Sequence, residues 1–194
     1  MKKITALLCT LFTLSIFAQD VKIPASSAMT DENAPHYLSK VSKEGTLIAM
    51  EDESQWVLPA FDTDEKDNDE KNVALTWFAG DPLMITPNIT FLAYFSSYTY
   101  TIHNLRTGTY TGAKLYYGPR IDGAFTKQVT EINLADGTTS LSDGSSWIVS
   151  TASEPKFSKW QIGDYIIIGN SNKKNKNILI NINLNQYIES ANYN

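Results

Sequence analysis

The sequence predicts an all-β protein built from two tandem small β-barrels. Three observations carry this. The chain repeats itself: I-A-M-E-D-E-S-Q-W-V-L at 48–58 is matched by T-S-L-S-D-G-S-S-W-I-V at 139–149, and each copy is followed by W-x-x-G-D and an apolar run. Past the first 18 residues there is almost no helical periodicity. From His36 onward the apolar runs are short, β-branched or aromatic, and broken by turn residues. Length alone also permits the alternative of a single β-sandwich assembled from both halves.

The N-terminus comes first. Lys2 and Lys3 precede a mostly apolar stretch from Ile4 to Phe17, and Ala18 closes it before the polar Gln19 and Asp20. This is the pattern of a cleaved secretory signal over 1–18. It is shorter than the roughly 20 apolar residues that a transmembrane helix needs. Cys9 does not follow the small residue that lipid attachment requires, because Leu8 stands there. Residues 19–35 are polar and small, with Pro24 and Pro35, and are expected to form an extended lead-in.

The first β unit is expected over 36–117. Its opening meander comprises Tyr37 to Ser42, Thr46 to Met50 and Gln55 to Leu58. The second unit, over 127–194, repeats it with Val129 to Leu134, Thr138 to Leu141 and Ser146 to Ser150. These are separated by Asp136-Gly137 and Asp143-Gly144, and Asp-Gly is a strong hairpin signal because glycine accepts φ > 0. Aligned on Trp56 and Trp147, the copies share Asp52 with Asp143 and Ser54 with Ser145. Glu53 replaces Gly144, so the first copy's turn is expected to be of another type or looser.

A connector follows each meander. Trp147 and Trp160 are 13 residues apart, whereas Trp56 and Trp77 are 21 apart, the surplus lying largely in the acidic run 62–71. Repeats accept insertions in loops, where closure entropy grows slowly with length, so this run is expected to be an exposed excursion. The W-x-x-G-D signature (Trp77 to Asp81, Trp160 to Asp164) is expected to anchor the connector through an indole whose N–H caps a backbone carbonyl, then turn tightly into an apolar strand. The tryptophans are expected to pair as Trp56 with Trp77 and Trp147 with Trp160.

The last strand of each unit is expected at Phe91 to Asn104 and at Ile178 to Leu184. In the latter, isoleucines alternate with asparagines, implying one buried and one wet face. Thr109 to Tyr117 reads as an extra strand without a partner in the repeat, followed by a turn-rich linker over 118–126. Five strands per unit suggest partly open barrels of SH3-like type.

Composition narrows the function. The only cysteine lies in the signal segment, so the mature chain has neither disulfide nor thiol nucleophile. Its roughly 176 residues suffice to fold by packing alone. Loss of Lys2 and Lys3 takes the net charge from −5 to −7. An acidic chain is a poor partner for nucleic acid or for an anionic membrane surface. His36 and His103 are the only histidines. There is no G-x-S-x-G and no clustered ligand set for zinc, so no catalytic, cofactor-binding or metal residue is assigned.

Several residues are weighed as candidates. Asp62, Asp64, Asp67 and Asp69 bring oxygen ligands together, yet an EF-hand register starting at Asp62 fails at Lys66, Asp67 and Val73, and a solvated charged loop accounts for them. The equivalent pairs Asp52 with Asp143 and Asp81 with Asp164 are the carboxylates available to a hydrolase; repetition in matched turns favours a turn-forming role. Tyr94, Phe95, Tyr98, Tyr100, Tyr110, Tyr116 and Tyr117 form either core packing or a platform for a sugar or protein. Tyr98, Tyr100 and Ile102 share the face expected to be buried, and Thr99, Thr101 and His103 the wet one. Asn88-Ile89-Thr90 fits a glycosylation sequon and is given no function.

The D-G-S-x-W-x-V stretch from Asp143 to Val149, W-x-x-G-D-x-I-I-I from Trp160 to Ile168 and the following I-L-I-N-I-N-L-N together resemble a repeat of small exported proteins of chlamydia-like intracellular bacteria. That group has no assigned activity. The resemblance implies export and duplication and carries over no functional residue. Two functions are therefore expected: an exported, non-enzymatic binding or structural module for a protein or glycan in the periplasm, on the outer surface or outside the cell, or alternatively a carboxylate-dependent hydrolase of envelope glycan or peptide.

Overall fold

A computed structural model of the chain describes residues 36–60, 72–89, 97–121, 125–173 and 176–193. The expected signal segment 1–18, the lead-in 19–35, the acidic run 62–71 and Tyr94 and Phe95 lie outside the described residues. Among the described residues twelve strands form two closed antiparallel barrels. The first comprises β1 (His36–Val41), β2 (Leu47–Met50), β3 (Gln55–Val57), β4 (Pro82–Pro87), β5 (Tyr100–Asn104) and β6 (Tyr110–Tyr117). The second comprises β7 (Thr126–Asn133), β8 (Thr138–Leu141), β9 (Ser146–Val149), β10 (Tyr165–Asn170), β11 (Asn177–Asn181) and β12 (Gln186–Asn192).

Each barrel is a pair of three-stranded meanders joined by a connector. β1 pairs with β4 and β3 with β6 to close the first; β7 with β10 and β9 with β12 close the second. Closure removes the free edges that a five-stranded open barrel would present. The strand beyond the expected five is the third of the second meander. β6, which the repeat had left without a partner, is the counterpart of β12. That strand escaped notice because Q-Y-I-E-S-A-N is mostly polar: only Ile188 and Ser190 are buried along it.

The connectors follow the residues available. Asn72 caps a 3-10 turn at Val73–Thr76 by accepting from the Ala74 N–H. In the second unit Thr151–Ser153 and Glu154–Phe157 form consecutive helical turns, with Pro155 in the first turn, where its missing N–H costs nothing.

The β2–β3 turn differs from expectation. Glu53 adopts φ 62°, the left-handed conformation of Gly144 at φ 83°. The same bonds close both turns: Met50 N–H to Ser54 O and Glu53 N–H to Met50 O in one, Leu141 N–H to Ser145 O and Gly144 N–H to Leu141 O in the other. The turn is the same, and glutamate bears the steric cost of about 1 kcal/mol that glycine avoids.

β11 also reverses an expectation. It ends at Asn181, residues 182–185 form a turn, and all five of its residues are buried. Asn177, Leu179 and Asn181 face the interior of the second barrel, while Ile178 and Ile180 point out of it and pack, with Ile167, into the core cluster of the first. The face expected to be wet is therefore the barrel interior, and the isoleucine face is buried by the neighbouring barrel. Burying each isoleucine contributes roughly 1.5–3 kcal/mol, so the two barrels form one packed body. β10 lies close on β4, where Gly169 faces the Ile85 carbonyl.

Candidate functional site

The repeated carboxylates occupy turns. Asp81 Oδ2 accepts from the Phe78 N–H at 2.9 Å and from Asn104 Nδ2 at 2.7 Å. Asp164 Oδ2 accepts from the Gln161 N–H at 2.9 Å and from Asn181 Nδ2 at 2.7 Å. Each asparagine then turns its Oδ1 to the N–H groups of the following hairpin, Arg106 and Thr107 in one copy and Leu184 in the other. Gly80 and Gly163, at φ 88° and 90°, make the turn possible. Asn104 and Asn181 are buried members of this lock that sequence reasoning missed. Their signal was an asparagine closing the same apolar strand in both copies.

Asp81 carries in addition the Arg106 guanidinium, bonded through Nε to Oδ1 and through Nη2 to Oδ2. The Arg106 hydrogen bond, assisted by the Phe78 N–H and Asn104 and opposed by burial, holds its carboxyl down at about 2. Such a group is an anion at all ordinary pH and has no proton to give.

The tryptophans behave partly as expected. All four are buried, but three of the indoles meet hydroxyls rather than carbonyls: Trp56 donates to Ser54, Trp147 to Ser145 and Trp77 to Thr109. Ring partners are Tyr100 for Trp56 and Phe157 for Trp160. Trp160 Nε1 is buried without a partner.

Asp52 and Asp143 diverge despite equivalent turns. Asp143 is exposed, whereas Asp52 is 0 % exposed because it lies where the barrels meet. There its Oδ2 accepts from the Thr126 hydroxyl, its Oδ1 from the Ser54 N–H, and its carbonyl from the Arg120 N–H. Beside it His36, also fully buried, sets Nδ1 at 3.2 Å from Glu51 Oε1 and Nε2 at 2.7 Å from the Ile168 carbonyl. His36 thus opens β1 and links one barrel to the other.

The tyrosines separate into core and surface. Tyr100 and Ile102 are buried as expected, whereas Tyr98 precedes β5 and lies over the outer side of β6, against Gly112. A side chain at Gly112 would come within 3.3 Å of Tyr98 Cβ, so the glycine makes that seat. On the outer face of the first barrel, register aligns Met84, His103 and Tyr110 across β4, β5 and β6. Tyr110 is 67 % exposed, and its ring lies 5.5 Å from His103 at an interplanar angle of 35°. His103 Nε2 meets the Thr86 hydroxyl at 3.0 Å, and burial lowers its pKa, which keeps the imidazole neutral. Thr86 itself is buried, so this hydroxyl is not presented as a nucleophile. Tyr116 and Tyr117, at the other end of β6, are also exposed, with Arg120 5.2 Å over the Tyr117 ring.

The equivalent row in the second barrel is Ile167, Ile180 and Tyr187 across β10, β11 and β12. That row is packed against the first barrel, whereas in the row of the first barrel Met84 and His103 are half-buried and Tyr110 is exposed. Among the described residues no group of three or more His, Cys, Asp or Glu side chains is arranged to hold a metal ion, and no helix is long and apolar enough to cross a membrane. Comparison with protein-family models gave no match, and neither the curated proteins nor the solved structures gave one.

Proposed function

We propose that the chain is an exported, non-enzymatic binding module whose binding face is the outer surface of β4–β6, with a glycan as the partner. The observation that carries this is the opposite fate of two equivalent faces. Where the row packs into the neighbouring barrel it is Ile167, Ile180 and Tyr187; where it ends in an exposed tyrosine it is Met84, His103 and Tyr110. The tyrosine is retained while an isoleucine gives way to an imidazole. Aromatic rings beside neutral hydrogen-bonding groups suit a ligand with alternating apolar and hydroxyl surfaces, and a sugar ring has both. Export rests on Lys2, Lys3 and the apolar stretch before Ala18, supported by the resemblance to exported repeat proteins. The hydrolase reading weakens because Asp81 and Asp164 are engaged in turns and Asp52 is buried.

The test is affinity electrophoresis and calorimetry of the purified chain against envelope polysaccharides. Tyr110→Ala and His103→Ala are expected to weaken binding at least about tenfold, the loss typical of a central aromatic contact, with unchanged circular dichroism. Equal binding by the double variant would remove this face from the function.

A further inference from the structure

The contact between the barrels holds a polar cluster that the binding face does not use. Both acceptors on the His36 ring, the Glu51 carboxylate and the Ile168 carbonyl, lack protons, so both ring nitrogens must donate and the bound form is the imidazolium. Glu51 comes from the turn after β2, and its other oxygen accepts from the Tyr37 N–H at 2.8 Å. Asp52, next in the chain, adds a second negative charge and is itself tied across the contact to Thr126. From the side of the second barrel, the Phe125 ring stands edge-on to His36 at 5.5 Å. Glu51 and Asp52 are the charged groups acting on His36 from the elements around it; β10 contributes the Ile168 carbonyl and no charge.

We propose that His36 is a proton-operated latch that fastens the two barrels together in mildly acidic solution and loosens them as the solution becomes alkaline. A neutral imidazole has one N–H. Losing the proton therefore sets a lone pair against either the carbonyl or the carboxylate, and leaves two buried carboxylates without their cation. The direction follows from the charges. Burial alone would depress the His36 pKa, but the Glu51 hydrogen bond, the Glu51 and Asp52 charges and the Ile168 carbonyl outweigh it, and the pKa stands above the ordinary 6.5. The latch is then fully fastened below 6.5 and loses its contribution as pH climbs to the raised value. Burial opposes ionisation of Glu51, yet His36 and the Tyr37 N–H hold its pKa below 4.5, so its contribution is lost as pH falls beneath that value. Attachment is strongest between these limits. Loosening would uncover Ile167, Ile178 and Ile180, the apolar counterpart of the open face on the first barrel.

The test uses the full chain carrying Cys9→Ser, with spin labels at Lys40→Cys in the first barrel and Lys159→Cys in the second, and follows their separation from pH 5.5 to 9 in mild urea. The ratio of open to closed molecules is expected to rise with pH above 6.5, by up to about tenfold per pH unit, and to level off at the His36 midpoint. His36→Gln is expected to abolish that slope. A flat profile, or the same slope in His36→Gln, would overturn the latch. Should that variant not fold, the histidine Cε1 proton resonances of the unaltered chain decide, with His103→Gln assigning them: a His36 midpoint above 6.5 supports the latch, and one at or below it refutes it.

Discussion

Adding one methyl group at Gly169 tests how the barrels are joined. A Cβ there would stand 2.7 Å from the Ile85 carbonyl oxygen and 3.0 and 3.2 Å from Ile178 Cγ1 and Cδ1. The carbonyl belongs to a backbone fixed by pairing of Ile85 with Ile102, so it cannot swing aside as a side chain would. The contact must lengthen by roughly half an ångström to become an ordinary one, and β10 and β4 would have to separate, loosening Ile167, Ile178 and Ile180 as well. Overpacking of this kind costs about 1–3 kcal/mol. Against it, alanine in a strand gains about 0.5–1 kcal/mol over glycine through lower chain entropy. The clash wins, and Gly169→Ala is expected to destabilise by about 1–2 kcal/mol. At about 2–4 °C per kcal/mol for a chain of this size, Tm should fall by about 2–8 °C by calorimetry. Thr86 holds the equivalent place in the first barrel, so a side chain at this site is compatible with the barrel backbone, and the Ile85 carbonyl is the contact that cannot give way. A Tm equal to or above that of the unaltered chain would refute the reasoning.

Glu53→Gly should raise stability by about 0.5–1 kcal/mol in urea unfolding, because glycine occupies the φ 62° position without the Cβ clash. Tyr100 buries its hydroxyl without a partner, so Tyr100→Phe should be neutral or stabilising by up to about 1 kcal/mol, measured in the same way. Asp81 is held at about 2 against an ordinary 3.8, so its contribution is present above 3.8 and is lost as pH falls toward 2. In an acid titration followed by near-ultraviolet circular dichroism, Arg106→Gln should shift the loss of structure to higher pH.

What was legible in the chain was local. The Asp-Gly turns, the meander before each tryptophan and the Gly-Asp entry into an apolar strand are set by backbone conformations that single residues dictate, and each stands where the repeat put it. Three features escaped because their causes lie elsewhere in the molecule. The isoleucines of β11 alternate as they would against a barrel's own core, and only the neighbouring barrel explains why the opposite face is the interior. Glu53 gave no sign that the flanking Met50 and Ser54 bonds would hold it in a glycine conformation. His36 sits in sequence beside a proline-bearing lead-in, and its partners Glu51 and Ile168 are 15 and 132 residues away. Tyr100 was read correctly as core, whereas Tyr98 was assigned to the same buried face and lies outside it; the seat at Gly112 was not foreseen, because a glycine in a strand does not announce what lies over it.

Docking of one copy of a repeat on the other through different surfaces has a hazard built into it. Such a contact does not close on itself: if the outer face of β4–β6 matched that of β10–β12, each molecule would offer a sticky donor to the next, and chains would add head to tail into fibres. Both halves of that match have diverged here. The donor carries Thr101 and His103 where the docked copy has Ile178 and Ile180, and the acceptor end of the second barrel carries Lys127 and Ser142 where the first has His36 and Glu51. The divergence between the copies therefore removes, on both surfaces, the match by which a further copy would add.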